Sequence, residues 1–159
     1  MGVKVDLIVE LHDRLNTAIG AGKTLFGVKR VCIGSIEEAR KQNDLPIINI
    51  QLTGGEEEVD SPNLYVFDNM ALQISLIHTK LDQVNNTLYK TSDSTGILFM
   101  FEKMLNAIDN DTSDAVNNTF SATTNHLARK SYRVDETGDN IIITLDMTFR
   151  TKNVITGAR

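Results

Sequence analysis

Between Leu64 and Lys80 the chain alternates for longer than one ordinary strand requires. Leu64, Val66, Met70, Leu72, Ile74 and Leu76 fall on one face, broken by Asp68 alone, while Tyr65, Phe67, Asn69, Ala71, Gln73, Ser75, Ile77 and Thr79 fall on the other. A period of two is that of a sheet strand with one buried side, and its length predicts the central strand. At roughly 3.3 Å per residue the run exceeds ~40 Å if straight, against about 5 to 6 residues for a typical strand. A bend near Asp68-Asn69 is therefore expected, with an outer half that projects as one arm of a hairpin and can pair or pack with another subunit. Tyr65, Phe67, Asn69 and Ile77 are the candidate subunit-interface residues.

The pattern elsewhere predicts two amphipathic helices. Val5, Ile8, Leu11, Leu15, Ala18 and Ile19 recur at three- and four-residue spacing, and Gly20 and Gly22 end that helix. Ile97, Leu98, Phe101, Met104, Leu105 and Ile108 form the apolar stripe of the second, capped by Ser94 or Thr95. Val28 to Ile33 reads as a short strand, and Ser35 with Glu38 as a capping box for a brief helical turn through about Lys41. Pro46 to Leu52 alternates as a second strand, with Pro46 suited to its first position. Gly54-Gly55 and the run Glu56, Glu57, Glu58 are expected to form an acidic, solvated loop.

After the long strand, Asp82 to Thr95 is polar and separates it from the second helix, and Asp109 to Asn125 reads as loop with one turn of helix. Leu127 to Val134 is expected as a fourth strand, joined through a hairpin turn at Glu136 to Asn140 to a fifth. In that fifth strand Ile141, Ile143, Leu145, Met147 and Phe149 point inward and Ile142, Thr144, Asp146, Thr148 and Arg150 outward. Helices do not alternate regularly with strands. The fold expected is α+β: a mainly antiparallel, twisted sheet of about five strands carrying two helices, in one domain spanning residues 1–159.

Composition narrows the chemistry. Sixteen Lys and Arg against 21 Asp and Glu give a formal charge of -5, the wrong sign for gripping phosphate backbones through counterion release. A like-charged wall can still let DNA slide past. Cys32 is the one cysteine, so no intramolecular disulfide and no thiolate cluster for zinc is available, and it is expected to pack as a small hydrophobe. The N-terminus lacks the basic region and apolar run of a signal peptide, and no stretch is apolar enough to span a membrane. A soluble protein made in the cytoplasm is expected, in which the Asn-x-Thr triplets at Asn85, Asn110 and Asn117 are not glycosylated.

Three motifs suggest chemistry without completing it. Gly20-Ala21-Gly22-Lys23-Thr24 resembles the end of a phosphate-binding loop, but Thr17 stands where that loop needs its first glycine. This segment also follows a helix and leads into a strand, the reverse of the required order. Asp109, Asp111, Ser113 and Asp114 resemble a calcium loop, but Asp114 and Phe120 occupy its glycine and bidentate glutamate positions. His12, His78 and His126 lie on three separate elements without metal-ligand spacing. No Gly-x-Ser-x-Gly elbow is present. No catalytic, cofactor or metal residue is assigned, and the chain is not expected to be an enzyme.

The order of elements and three short stretches carry a resemblance. A first helix is followed by Val28-Lys-Arg-Val-Cys-Ile-Gly34, then by Asp44-Leu-Pro-Ile-Ile-Asn-Ile50, a long strand, a helix and the ending Ile141-Ile-Ile-Thr-Leu-Asp-Met-Thr-Phe-Arg-Thr-Lys152. This resembles the tail terminator, or tail completion, proteins of tailed bacteriophages. The resemblance covers nearly the whole chain in element order, though the segment from Asp109 to Asn125 has no counterpart in it. It implies a structural virion protein forming a ring, typically a homohexamer, at the head-proximal end of the tail tube. Such a ring ends tube growth and offers a joining surface to the head. The implied partners are other copies of the chain, the tail tube protein and the head connector; DNA passes through unbound. The implied location is the neck of the virion, after assembly in the host cytoplasm, with Glu56, Glu57 and Glu58 as a lumen-facing acidic loop. The alternatives are a head completion or other neck protein and, in a different class, a nucleotide-binding protein using Gly20 to Thr24.

Overall fold

The computed structural model describes residues 3–20, 22–23, 25, 27–42, 44–60, 65–79, 96–108, 119–120 and 125–154. The elements run α1 (Val3–Thr17), β1 (Val31–Ile33), α2 (Ile36–Arg40), β2 (Ile47–Asp60), β3 (Tyr65–Thr79), α3 (Ile97–Ile108), β4 (Thr119–Phe120), β5 (Asn125–Thr137) and β6 (Asn140–Val154). The six strands make one sheet in the order β1-β2-β3-β6-β5-β4. Only β1 and β2 are parallel; the remaining pairs are antiparallel. The fold is α+β, and β3 is central, flanked along its length by β2 and β6.

One face of the sheet carries the main core. Leu7, Leu11 and Leu15 of α1 and Ile97, Phe101 and Met104 of α3 pack on Leu72, Ile74 and Leu76 of β3 and on the inward residues of β6 from Ile141 to Phe149. Each such side chain, fully removed from water, contributes about 1.5–3 kcal/mol relative to exposure. The 3.6-residue stripe of each helix therefore meets the two-residue alternation of the strands, as the sequence predicts.

The opposite face is not simply solvent-facing. Ser35 caps α2, its Oγ accepting from the Glu37 amide at 3.2 Å, and the helix lays Ala39 over Ile47, Ile77 and Ile142 in a second apolar cluster. Half-buried Cys32 packs against this cluster, in keeping with its expected role as a small hydrophobe. Polar residues of β2 dock the same segment: the Asn49 side-chain amide donates to the Gly34 carbonyl at 2.9 Å, and Gln51 Oε1 accepts from the Ile36 amide at 3.2 Å. Ile142 and Thr144, expected outward, are accordingly 6% and 3% exposed. A five-residue helix with one buried alanine has too weak a periodicity to announce from sequence that it covers a face.

The largest departure concerns the acidic segment. Gly54 to Glu58 is strand, not loop: β2 pairs with β3 from Ile47↔Ile77 through Glu56↔Asn69, Glu57↔Asp68 and Glu58↔Phe67 to Asp60↔Tyr65. Tandem glycines and a charge run signal a turn in isolation, but here the long β3 supplies a ladder of partners. The glycines fall where the ladder is irregular, with Gly54 at φ +157° just after the register shift that follows Leu52. At Gly55 an added Cβ would lie 2.7 Å from the Asn69 carbonyl oxygen. The predicted hairpin at the other end is present, with Gly138 at φ +58° between Thr137 and Asn140.

Candidate assembly surface

Met70 and Phe149 stand opposite one another, both within the main core. Beyond them the ladder of β3 continues on both sides, to Glu56↔Asn69 and Asp60↔Tyr65 with β2, and to Asn69↔Arg150 and Tyr65↔Val154 with β6. The projecting half of β3 is thus the middle strand of an extended sheet rather than one arm of a free hairpin. Its backbone hydrogen bonds are taken within the chain, so a neighbour can pack on its face but cannot add a strand to it.

The expected bend is displaced. β3 and β6 stay in register throughout, and the irregularities lie in their outer neighbours: a bulge between Leu52 and Gly54 in β2, and one between Leu127 and Arg129 in β5. Both are at the level of Ala71 and Thr148. The Thr53 hydroxyl, on the bulged residue, donates to the Ala71 carbonyl at 3.1 Å. Extra residues in both outer strands near one level raise the local twist there.

Of the four interface candidates, Tyr65 and Phe67 lie in the extension by backbone register, opposite Asp60 and Glu58 of β2 and Val154 and Lys152 of β6. Asn69 is half-buried at the edge of the core. Ile77 does not belong with them: it is fully buried beneath α2, ten register positions from Phe67, and its alternation with the others placed it on a face that α2 covers. Glu56 is exposed, and Glu57 and Glu58 follow it along β2. Sequence reasoning missed that these three acids lie within β2 itself, in register with Asn69, Asp68 and Phe67 of β3.

The segment containing Gly20 to Thr24 leaves the C-terminal end of α1, Gly20 and Gly22 having φ of +133° and +76°, and leads to a parallel bridge between Ile19 and Leu25. A helix C-terminus presents carbonyl oxygens and the negative end of the dipole, the opposite of a phosphate cradle. The Asp109 to Asp114 segment lies outside the described residues. His12 bonds Asp13 on α1 at 3.1 Å, and the Nδ1 of His78 accepts from the Thr79 amide at 2.8 Å. Among the described residues no three His, Cys, Asp or Glu side chains are grouped to hold a metal ion, and no helix is long and apolar enough to cross a membrane.

A shallow groove of about 180 Å³ runs beside α2, lined by Glu37, Arg40, Arg133, Asp135 and Thr144 among others. That volume is below the roughly 300–1,000 Å³ of common ligand sites. Its charges are largely matched locally: Arg133 bonds Asp146 and approaches Asp135 at 3.7 Å, and Arg40 approaches Glu37 at 3.6 Å. No protein-family model matches the chain, and no curated protein matches it.

Proposed function

We propose that the protein is a structural subunit that assembles with copies of itself into a ring, most specifically the tail terminator ring of a tailed bacteriophage. In that role it sits at the head-proximal end of the tail tube, ends tube growth and meets the head connector. The observation that carries this reading is the long, continuous ladder of β2, β3 and β6, which runs past Met70 and Phe149 to Asp60, Tyr65 and Val154. A ladder of three long strands is a rigid, pre-formed element of the kind that subunit contacts use. The order of helix, short strand, long hairpin, helix and final antiparallel pair supports the phage role through the resemblance described above. The formal charge of -5 suits a wall that lets DNA pass without holding it.

The test is native mass across concentration, with negative-stain images of the same sample, followed by addition to purified tail tubes. A closed ring of about six subunits that caps tube ends is the expected result. A ring that binds the portal side and ignores tubes would make the protein a neck component instead. A protein that stays monomeric even with tubes present removes the ring reading.

A further inference from the structure

We infer that α2 is a flap: it swings about the β1–β2 side of the sheet, opens along the groove beside β5, and uncovers Ile77 and Ile142 while the main core on the other face stays closed. The two apolar clusters of the fold have no buried residue in common. The smaller one is built from Ile47, Ile77 and Ile142, on the neighbouring strands β2, β3 and β6, and from Ala39 of α2, with Ile36 packed partly against them. The helix thus contributes one buried alanine and part of one isoleucine to holding itself down. A segment with so few buried apolar contacts opens at a lower free energy than the core it rests on.

The polar bonds of this segment place the pivot. β1 and β2 are parallel and α2 is their connection, so both ends of the helix return to the same side of the sheet. At the first end Gly34 is held twice to β2: its amide donates to the Ile50 carbonyl at 2.9 Å, and its carbonyl accepts from the Asn49 side chain at 2.9 Å. Its φ of +150° is one that glycine takes readily and other residues rarely do. One step on, the Ile36 amide reaches Gln51 of β2. At the other end Arg30, just before β1, bonds Gln42 and approaches Asp44 at 3.2 Å. The axis of the swing runs between these two anchored ends.

The groove is the seam. Each charged side chain that lines it pairs on its own bank: Arg40 with Glu37 on α2, and Arg133 with Asp135 of β5 and Asp146 of β6. The ion pair of Lys41 with Glu38 is likewise internal to the helix and its cap. These pairs travel with the flap and are not broken when it opens. Ile36 and Ile142 line the groove as well as joining the small cluster, so the groove leads directly to the apolar contact that has to part. The outer face of α2 is open to solvent, the side chains of Glu37, Glu38 and Lys41 being 69%, 75% and 71% exposed, which leaves the helix room to swing outward.

The test uses the full-length chain carrying Cys32→Ala and one new thiol, either Ile77→Cys beneath α2 or Ile74→Cys on the main-core face of the same strand, both at fully buried positions. Labelling with N-ethylmaleimide is followed by mass across urea concentration, beside each variant's global unfolding by circular dichroism. Without urea the Ile77→Cys thiol is expected to react about tenfold or more faster than the Ile74→Cys thiol, each taken relative to its own global unfolding, and its rate should be nearly flat at low urea because a flap exposes little surface. Adding Arg30→Met should speed the first thiol severalfold further and the second only as far as global stability falls. Equal labelling of both thiols, with the steep urea dependence of global unfolding, overturns the flap. Where Ile77→Cys does not fold, amide exchange on the unmodified protein decides. Ala39 and Gln42, whose amides bond the carbonyls of Ser35 and Ala39, should exchange together and about tenfold or more faster than Gly34 and Ile48, whose amides bond the carbonyls of Ile50 and Arg30. Equal exchange at all four would mean that β1 leaves with the helix, which overturns the pivot and the flap with it.

Discussion

The Arg14 guanidinium donates to the backbone carbonyl of Ile108 at 2.8 Å, joining residues 94 positions apart. Ile108 is the last residue of α3, so a cation on α1 satisfies a carbonyl that helix geometry leaves unpaired and sits at the negative end of the dipole. The second Nη of Arg14 bonds Glu10 at 3.0 Å, one turn earlier on α1. The bond adds a directional contact to the apolar packing that α1 and α3 share in the main core.

Arg14→Met should therefore destabilise the fold by about 1.5–3 kcal/mol, the usual worth of a part-buried bond to a charged donor. Equilibrium urea unfolding monitored by circular dichroism measures it. Arg14→Lys should recover less than half of the loss, since one ammonium cannot serve Ile108 and Glu10 in the same planar geometry. A variant as stable as the parent would show that the helices are held by their apolar stripes alone.

On the opposite face, Ser75 and Thr144 stand directly across β3 and β6, and their hydroxyls share a hydrogen bond at 3.2 Å. Both are buried, at 1% and 3% exposure. Removing one hydroxyl strands the other: Ser75→Ala is expected to cost about 1–3 kcal/mol. Combining it with Thr144→Val should cost less than the sum of the single changes, because no polar group is left unpaired. A double-mutant cycle in urea gives the coupling directly; strict additivity would mean that each hydroxyl is satisfied elsewhere.

Gly55→Ala should destabilise by about 1–3 kcal/mol, the usual range for forcing atoms into an occupied space. Its Cβ would meet a backbone oxygen, that of Asn69, at 2.7 Å, and a backbone atom cannot swing aside as a side chain can. Gly54→Ala is a different experiment: its Cβ meets nothing within 4 Å, and its cost is conformational, from φ of +157°. Thermal melts of the two variants separate crowding from backbone preference.

Much of this architecture follows from periodicity. The stripes of α1 and α3 and the alternation of β3 and β6 are strong because each element contacts a core along most of its length. The bounds of β2 did not follow, since Gly54-Gly55-Glu56-Glu57-Glu58 has turn chemistry and only the partner β3, absent from any local window, makes it strand. Tyr65 and Phe67 fall in the long ladder that the alternation predicts, but the cover that α2 lays over Ile77 emerges only from the fold, because it leaves no mark in the alternation of one strand.

Ile77 separates the two kinds of role. It packs with Ala39, Ile47 and Ile142 beneath α2, so truncation removes apolar contacts from a closed cluster rather than from a surface. Ile77→Ala should cost about 2–5 kcal/mol of stability, measurable by urea unfolding, and should loosen α2, detectable as faster amide exchange at Ala39 and Gln42, whose amides bond the carbonyls of Ser35 and Ala39. If the chain assembles as proposed, its fully folded fraction should do so with the same concentration dependence as the parent, because residue 77 is fully buried beneath α2. A folded Ile77→Ala that fails to assemble while retaining stability would return this residue to the interface and place a subunit contact on the α2 face.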